Sequence, residues 1–142
     1  MNKEEVIHQL YQNYRDVTEK YDASIENLGI ALRTSKANQL ILERAREELA
    51  ALEANVVLGE THSGGRINGK NAETRQRQTT LLLAEFRLQD PTAKSLVNDI
   101  ELARQSLNSS SIAIQTIKAQ FYRHQTVAKM IAGLATALGG QL

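Results

Sequence analysis

Hydrophobic residues recur at alternating spacings of three and four along two long stretches of the chain. In the second stretch this repeat, which we call the seam, passes through Ala93, Leu96, Ile100, Ala103, Leu107, Ser110, Ile114, Ile117, Phe121, His124, Ala128, Ile131, Ala135 and Leu138. A mean spacing of about 3.5 residues keeps one side of a helix turned towards a partner helix. The pattern therefore predicts a long helix over residues 91–138, and the pair Gly139-Gly140 is a typical helix end.

The first stretch has a seam of its own in unbroken phase. It passes through Ile7, Leu10, Tyr14, Val17, Tyr21, Ser24, Leu28, Ala31, Ser35, Asn38, Leu42, Ala45, Leu49, Leu52 and Val56. We predict a helix over residues 3–58, with Asn2 as its cap. Because Ser35 and Asn38 are polar, a break at Thr34 or Ser35 into two shorter helices is the alternative.

The segment between the two stretches lacks this periodicity. Residues 59–71 contain four of the eight glycines, which predicts a loop. Within it, Asn68-Gly69 is a tight-turn pair that suits the tip of a small β-hairpin. Asn71 is a good cap for a short helix over residues 72–89, and Asp90 caps the last helix, with Pro91 at its first position.

Two long helices joined by an interrupted connector predict an all-α fold. We expect a long antiparallel helical hairpin, coiled-coil-like, with the short third helix and the Gly-rich loop at its tip, as one domain over residues 1–142. If Val56 lies level with Ala93, residue 39 lies opposite Ser110. The polar residues Ser35, Asn38 and Ser110 would then form one layer that sets the register at some loss of stability.

Several large apolar residues lie away from the seam. Ile30, Leu40, Ile41 and Ile112 are the ones that the first partner helix would not cover. Burying a side chain of this size stabilises by roughly 1.5–3 kcal/mol. We therefore predict that two chains pack into a homodimer through these four residues. In the alternative, the short helix and the loop fold back over them in a monomeric bundle.

Composition excludes several kinds of chemistry. The chain has no Cys, so it has no thiol nucleophile or thiolate metal site. No two of its histidines have the spacing of a metal pair, and His124 is expected to bond Tyr21 or Ser24. Gly64, Gly69 and Lys70 approach the phosphate-loop pattern, but no strand precedes them. We predict no enzyme, no metal, no cofactor and no small-molecule substrate.

Hydropathy and charge say more about location and partners. The longest apolar tract, residues 130–138, is shorter than the roughly 20 residues that span a bilayer. The N-terminus has no apolar core like that of a signal peptide. We therefore expect a soluble cytoplasmic protein that does not contact a membrane. Residues 1–58 have seven basic and ten acidic side chains, and residues 91–142 have five and two. These opposite balances favour ion pairs between the two long helices.

The predicted loop and the short helix that follows it contain a cluster of basic residues. This cluster could meet nucleic-acid phosphates. Its members are Arg66, Lys70, Arg75 and Arg77. We call these four residues the basic tip.

The connector also carries a resemblance to a known class of proteins. The residues from Ile67 to Arg75, followed by Leu81-Leu82-Leu83 and a long helix, resemble small helical proteins of bacteriophages and prophages, in which a segment reading roughly "-GKNAE-R-" follows a first long helix. The resemblance covers about 25 residues. It implies a mobile-element protein that acts as a binding or accessory factor, and it implies no catalytic residue.

The function that we expect is therefore a non-enzymatic one. The first hypothesis is a helical scaffold that self-associates and contacts an unidentified protein partner. The alternatives are an accessory nucleic-acid-binding factor in recombination or replication, using the basic tip, and an inhibitor of a host enzyme.

Overall fold

A computed structural model of the chain describes residues 2–62 and 65–140. Three helices make up this part of the chain: α1 (Lys3–His62), α2 (Ala72–Gln89) and α3 (Pro91–Ala137). The described residues contain no strand, so Asn68-Gly69 is not the tip of a β-hairpin. The prediction of an all-α fold with two long helices and a short third helix is confirmed.

Helix α1 continues without a break through Thr34 and Ser35, and it ends at His62 instead of residue 58. The first four residues of the predicted loop are therefore helical. Gly59 lowers helix propensity by about 1 kcal/mol, which does not end a helix by itself. In the last turn the Thr61 hydroxyl donates to the Val57 carbonyl oxygen at 2.7 Å.

All three helix starts are capped by the side chains that the sequence predicts. Asn2, Asn71 and Asp90 each accept a hydrogen bond from the backbone N–H three residues further on, at 2.9, 2.8 and 2.9 Å. At the other end of α3, Gly139 adopts a left-handed φ of 85°, and the Gly140 N–H donates to the Ala135 carbonyl oxygen at 2.8 Å. These contacts satisfy backbone groups that a helix leaves unpaired at its ends.

Packing divides the chain into two compact units. The first, which we call the two-helix unit, comprises Met1–Ser35 and Ser109–Leu142. The second, the three-helix unit, comprises Lys36–Asn108 and contains α2. Each of the long helices contributes a segment to both units.

The three-helix unit has the larger core. Its central cluster consists of Leu42, Ala45, Leu49, Ala93, Leu96, Ile100 and Ala103, with Leu52, Phe86 and Leu107 packed against it. All but Phe86 are positions of the two seams, which confirms the predicted facing of α1 and α3 here. Phe86 belongs to α2, so α2 covers one side of this core.

The two-helix unit has only α1 and α3 to build a core. The helices run antiparallel, because Gly140 lies beside Ile7 and the rings of Tyr21 and Phe121 stack with centroids 4.8 Å apart. Among the described residues of this unit only Ser24, Ile131 and Ala135 are buried. The other seam side chains are half-buried, since no third element covers them.

Candidate interaction surfaces

The connector of the three-helix unit is tied down by one side chain of α2. Gln78 Oε1 accepts hydrogen bonds from the N–H groups of Asn68 and Gly69, at 3.0 and 2.8 Å. The Gln78 amide nitrogen donates in turn to Asn68 Oδ1 at 2.9 Å. Ile67 is buried beside this arrangement. The second half of the predicted loop is therefore a structured turn anchored to α2.

Three residues of the basic tip are engaged by groups within the same unit. Arg66 forms an ion pair with Glu85, and Arg77 forms one with Glu73 at 2.7 Å. The Arg75 guanidinium donates to the Gly69 carbonyl oxygen at 3.1 Å.

Lys70 is the fourth residue of the basic tip. It is exposed, and it has no hydrogen bond or ion pair within the described part of the chain. Two of the four positive charges are thus matched by carboxylates, which weakens the field that phosphates would meet. The nucleic-acid role of this cluster stays a prediction.

The residues of the predicted polar layer are all half-buried. Within residues 2–62 and 65–140, the side chains of Ser35, Asn38 and Ser110 have no hydrogen-bond partner. Their role in setting the register stays a prediction. His124 is also half-buried, but the expected bond to Tyr21 or Ser24 is absent, because the Ser24 hydroxyl donates to the Lys20 carbonyl oxygen at 2.9 Å.

The residues predicted to mediate self-association are exposed in both units. Ile30 and Ile112 belong to the two-helix unit, and Ile112 exposes 66% of its surface. Leu40 and Ile41 belong to the three-helix unit, and both are exposed as well. Neither α2 nor the connector covers Leu40 or Ile41, so the fold-back alternative fails for these two residues.

The ion pairs expected between the two long helices are absent from the described residues. The three ion pairs there are Arg66–Glu85, Arg77–Glu73 and Arg87–Glu53, and none joins α1 to α3. The expectation was wrong because Asp16, Glu19, Asp22 and Glu26 are exposed and lie on the side of α1 away from the seam, so they do not reach the bases of α3. The acids of α1 and the bases of α3 in this unit remain unpaired.

A shallow apolar groove runs along one flank of the two-helix unit, with a volume of about 210 Å³. It is lined by Tyr14, Thr18, Tyr21, Gln125, Ala128, Lys129 and Ala132. Ile25 and Leu32 follow Thr18 at intervals of seven residues, so the three lie on one line along α1. Both are 48% exposed. Ile25 and Leu32 each follow a seam residue, so the sequence shows that they lie beside the seam. The small side chains that open the groove carry no such signal.

A second groove, in the three-helix unit, is lined by charged residues that the sequence analysis did not single out. Arg46, Arg87 and Arg104 come from three different helices and border the same space of about 300 Å³. Their positions in the sequence could have identified two of them. Arg46 and Arg104 each follow a buried seam alanine, so they flank the seam from opposite helices.

Within residues 2–62 and 65–140, no group of three or more His, Asp or Glu side chains could hold a metal ion. None of the helices there has the length and apolar character needed to cross a bilayer. No protein-family model, no curated protein and no solved structure matches the chain.

Proposed function

We propose that the protein is a self-associating helical scaffold, and that a second copy of the chain covers the two-helix unit. The observation that carries this proposal is the half-buried seam of that unit. A helix pair alone cannot enclose large side chains, whereas four helices can. Among the described residues, no large side chain is fully buried.

The exposed area supports the same proposal. The chain exposes 10130 Å². Size scaling gives a folded monomer of this mass, 15.8 kDa, about 7,300 Å². Stable homodimers bury roughly 2,000 Å² or more in total. The surplus of accessible surface is therefore large enough to supply such an interface from each chain.

The apolar groove and its neighbours form the surface that best fits a second copy. Ile25 and Leu32 stand next to the groove, and an isoleucine or leucine side chain is small enough to enter it. Complete burial of a half-exposed side chain of this kind contributes about 1 kcal/mol. A two-fold axis near Tyr21 would let Ile25 of each chain enter the groove of the other, which is how symmetric interfaces repeat one contact twice.

The charges of the two-helix unit complement each other between copies. The α1 part of this unit has a net charge of −2, from the six acids Glu4, Glu5, Asp16, Glu19, Asp22 and Glu26 against the four bases Lys3, Arg15, Lys20 and Arg33. The α3 part has a net charge of +3, from Lys118, Arg123 and Lys129 and no acid. A two-fold dimer that places α1 of one chain beside α3 of the other brings these sets together. Such complementarity favours a second copy over an unrelated partner.

Two double variants test where the chains meet, by light scattering at micromolar concentration. The wild-type protein is expected to have the mass of two chains. Ile25→Lys/Leu32→Lys places charges at the groove and should give the mass of one chain. Ile30→Lys/Ile112→Lys, at positions of similar exposure outside the groove, should keep the mass of two chains.

Circular dichroism of each variant shows whether its helices still form. A wild-type protein with the mass of one chain would contradict the proposal. Dissociation of the Ile30→Lys/Ile112→Lys variant alone would contradict the groove as the contact surface, and it would favour the apolar set predicted from the sequence.

The biological setting of this scaffold rests on the connector resemblance. A bacteriophage or prophage origin, a role as a nucleic-acid accessory factor and inhibition of a host enzyme all remain predictions. A scaffold that self-associates is compatible with each of them.

A further inference from the structure

The charged groove of the three-helix unit has one pair that is already satisfied. The Arg87 Nε–H donates to Glu53 Oε1 at 2.5 Å. This hydrogen bond is the main cause that raises the pKa of Arg87 above its ordinary value, against the opposing effect of burial. The Glu53 side chain is only 13% exposed, so the pair fixes the position of the Arg87 guanidinium. The bond uses Arg87 Nε, and the two terminal nitrogens of Arg87 make no hydrogen bond within the described part of the chain.

The other two arginines of the groove have no partner. Arg46 and Arg104 make no hydrogen bond and no ion pair within the described part of the chain. Both border the groove together with Leu49 and Ile100. They occupy equivalent positions that flank the seam on antiparallel helices, where an acid–base pair would be expected. Like charges at such positions repel each other instead of forming a pair.

The acids of the groove do not cancel this excess. Glu53 is used by Arg87. Glu101 accepts a long hydrogen bond from the neutral amide of Gln105 at 3.4 Å, so it keeps its charge and offsets only one of the two unpaired arginines. The five charged side chains of the groove carry a net charge of +1. Their positive groups come from α1, α2 and α3, so donors approach from three directions.

We propose that this groove binds a phosphate group held between Arg46, Arg87 and Arg104. Guanidinium groups pair with phosphate through two parallel hydrogen bonds, and they remain charged at any pH the protein meets. A tetrahedral phosphate offers acceptor oxygens in several directions, which suits donors from three helices better than a planar carboxylate does. The volume of about 300 Å³ leaves room for one phosphate and its substituent. This site is separate from the proposed self-association surface.

Calorimetric titration with inorganic phosphate and with pyrophosphate tests the site at constant ionic strength. The wild-type protein should bind pyrophosphate more tightly than phosphate, because it carries more charge. Arg46→Gln/Arg104→Gln removes two of the three donors and should weaken binding at least tenfold. Its thermal midpoint without ligand should be equal to or above that of the wild type, since two unpaired like charges are gone.

A matched control is Arg15→Gln/Arg33→Gln, which removes two exposed arginines of the two-helix unit. It should bind both anions as the wild type does. Equal affinity in the Arg46→Gln/Arg104→Gln variant, or no binding by the wild type, would overturn the proposal.

A single-stranded oligonucleotide then distinguishes the source of the phosphate. If pyrophosphate displaces it, the groove takes a phosphodiester; if pyrophosphate binds and the oligonucleotide does not, the groove takes a small phosphorylated ligand. Both results support the site. An oligonucleotide that pyrophosphate displaces from the wild type, yet that binds equally to the Arg46→Gln/Arg104→Gln variant, contradicts it.

Discussion

At the scale of single residues, the connector depends on Gln78 and Gly69. Gln78 Oε1 accepts from the N–H groups of Asn68 and Gly69, which have no backbone acceptor in a helix or strand. Gly69 also has no room for a side chain, because an added Cβ would lie 2.6 Å from Thr74 Cγ2 and 3.1 Å from the Arg75 nitrogen. The turn is thus specified by contacts between residues five to ten apart in sequence, which no local pattern shows.

Replacement of Gln78 tests this account. Gln78→Leu removes the acceptor and should lower the free energy of unfolding by about 0.5–1.5 kcal/mol, the net contribution of a hydrogen bond, because the Asn68 N–H is exposed and water can replace the lost acceptor. Gln78→Glu keeps an acceptor oxygen for the two N–H groups and loses only the bond that the Gln78 amide nitrogen donates to Asn68 Oδ1. It should therefore lower stability less. Chemical denaturation measures both. Equal losses in the two variants would mean that the accepted bonds do not hold the turn.

At the scale of the helices, the sequence predicts most of what the structure contains. The period of the seams sets which face of α1 and α3 is covered, and Asn2, Asn71 and Asp90 mark where helices start. The end of α1 was misplaced because Gly59 in a helix interior is unfavourable yet tolerated. Ion pairs were predicted from charge totals, which do not say towards which side of a helix each charge points.

The contact between α1 and α2 depends in part on the pair Arg87–Glu53. Arg87→Gln leaves Glu53 without its charged partner in a nearly buried position, so we expect a loss of about 1 kcal/mol. Arg77→Gln is the matched control: Arg77 and Glu73 are 75% and 76% exposed and lie within one helix, so its loss should be a few tenths of a kcal/mol, about 0.3. Thermal unfolding separates the two, and equal losses would argue against a structural role for Glu53.

The polar layer makes an element-scale prediction for Asn38. Its half-buried amide has no partner, so Asn38→Leu should raise the free energy of unfolding by about 1 kcal/mol. If the layer sets the register, the same variant should also show additional amide signals in NMR spectra from misaligned helices. Gln39→Leu, at an exposed neighbour, should change neither. A lower stability for Asn38→Leu would contradict the idea that Asn38 sets the register at a loss of stability.

At the scale of the whole molecule, the two units differ in what they leave uncovered. The three-helix unit encloses a core with α2, and the two-helix unit leaves its seam half open. The sequence could show that apolar side chains exceed what one helix pair buries. It also identified Ile30, Leu40, Ile41 and Ile112 as uncovered, and all four are exposed. It could not show which seam residues stay half-buried, because that depends on where α2 packs.

Hydrogen exchange at two protein concentrations, about 1 µM and about 100 µM, tests self-association through the two-helix unit most directly. Association should slow the exchange of amides near residues 7–28 and 114–135 as concentration rises. Amides near residues 42–52 and 93–107, in the three-helix unit, should exchange at the same rate at both concentrations. If the amides of the two-helix unit show no dependence on concentration, no second copy covers that unit and the central claim is wrong.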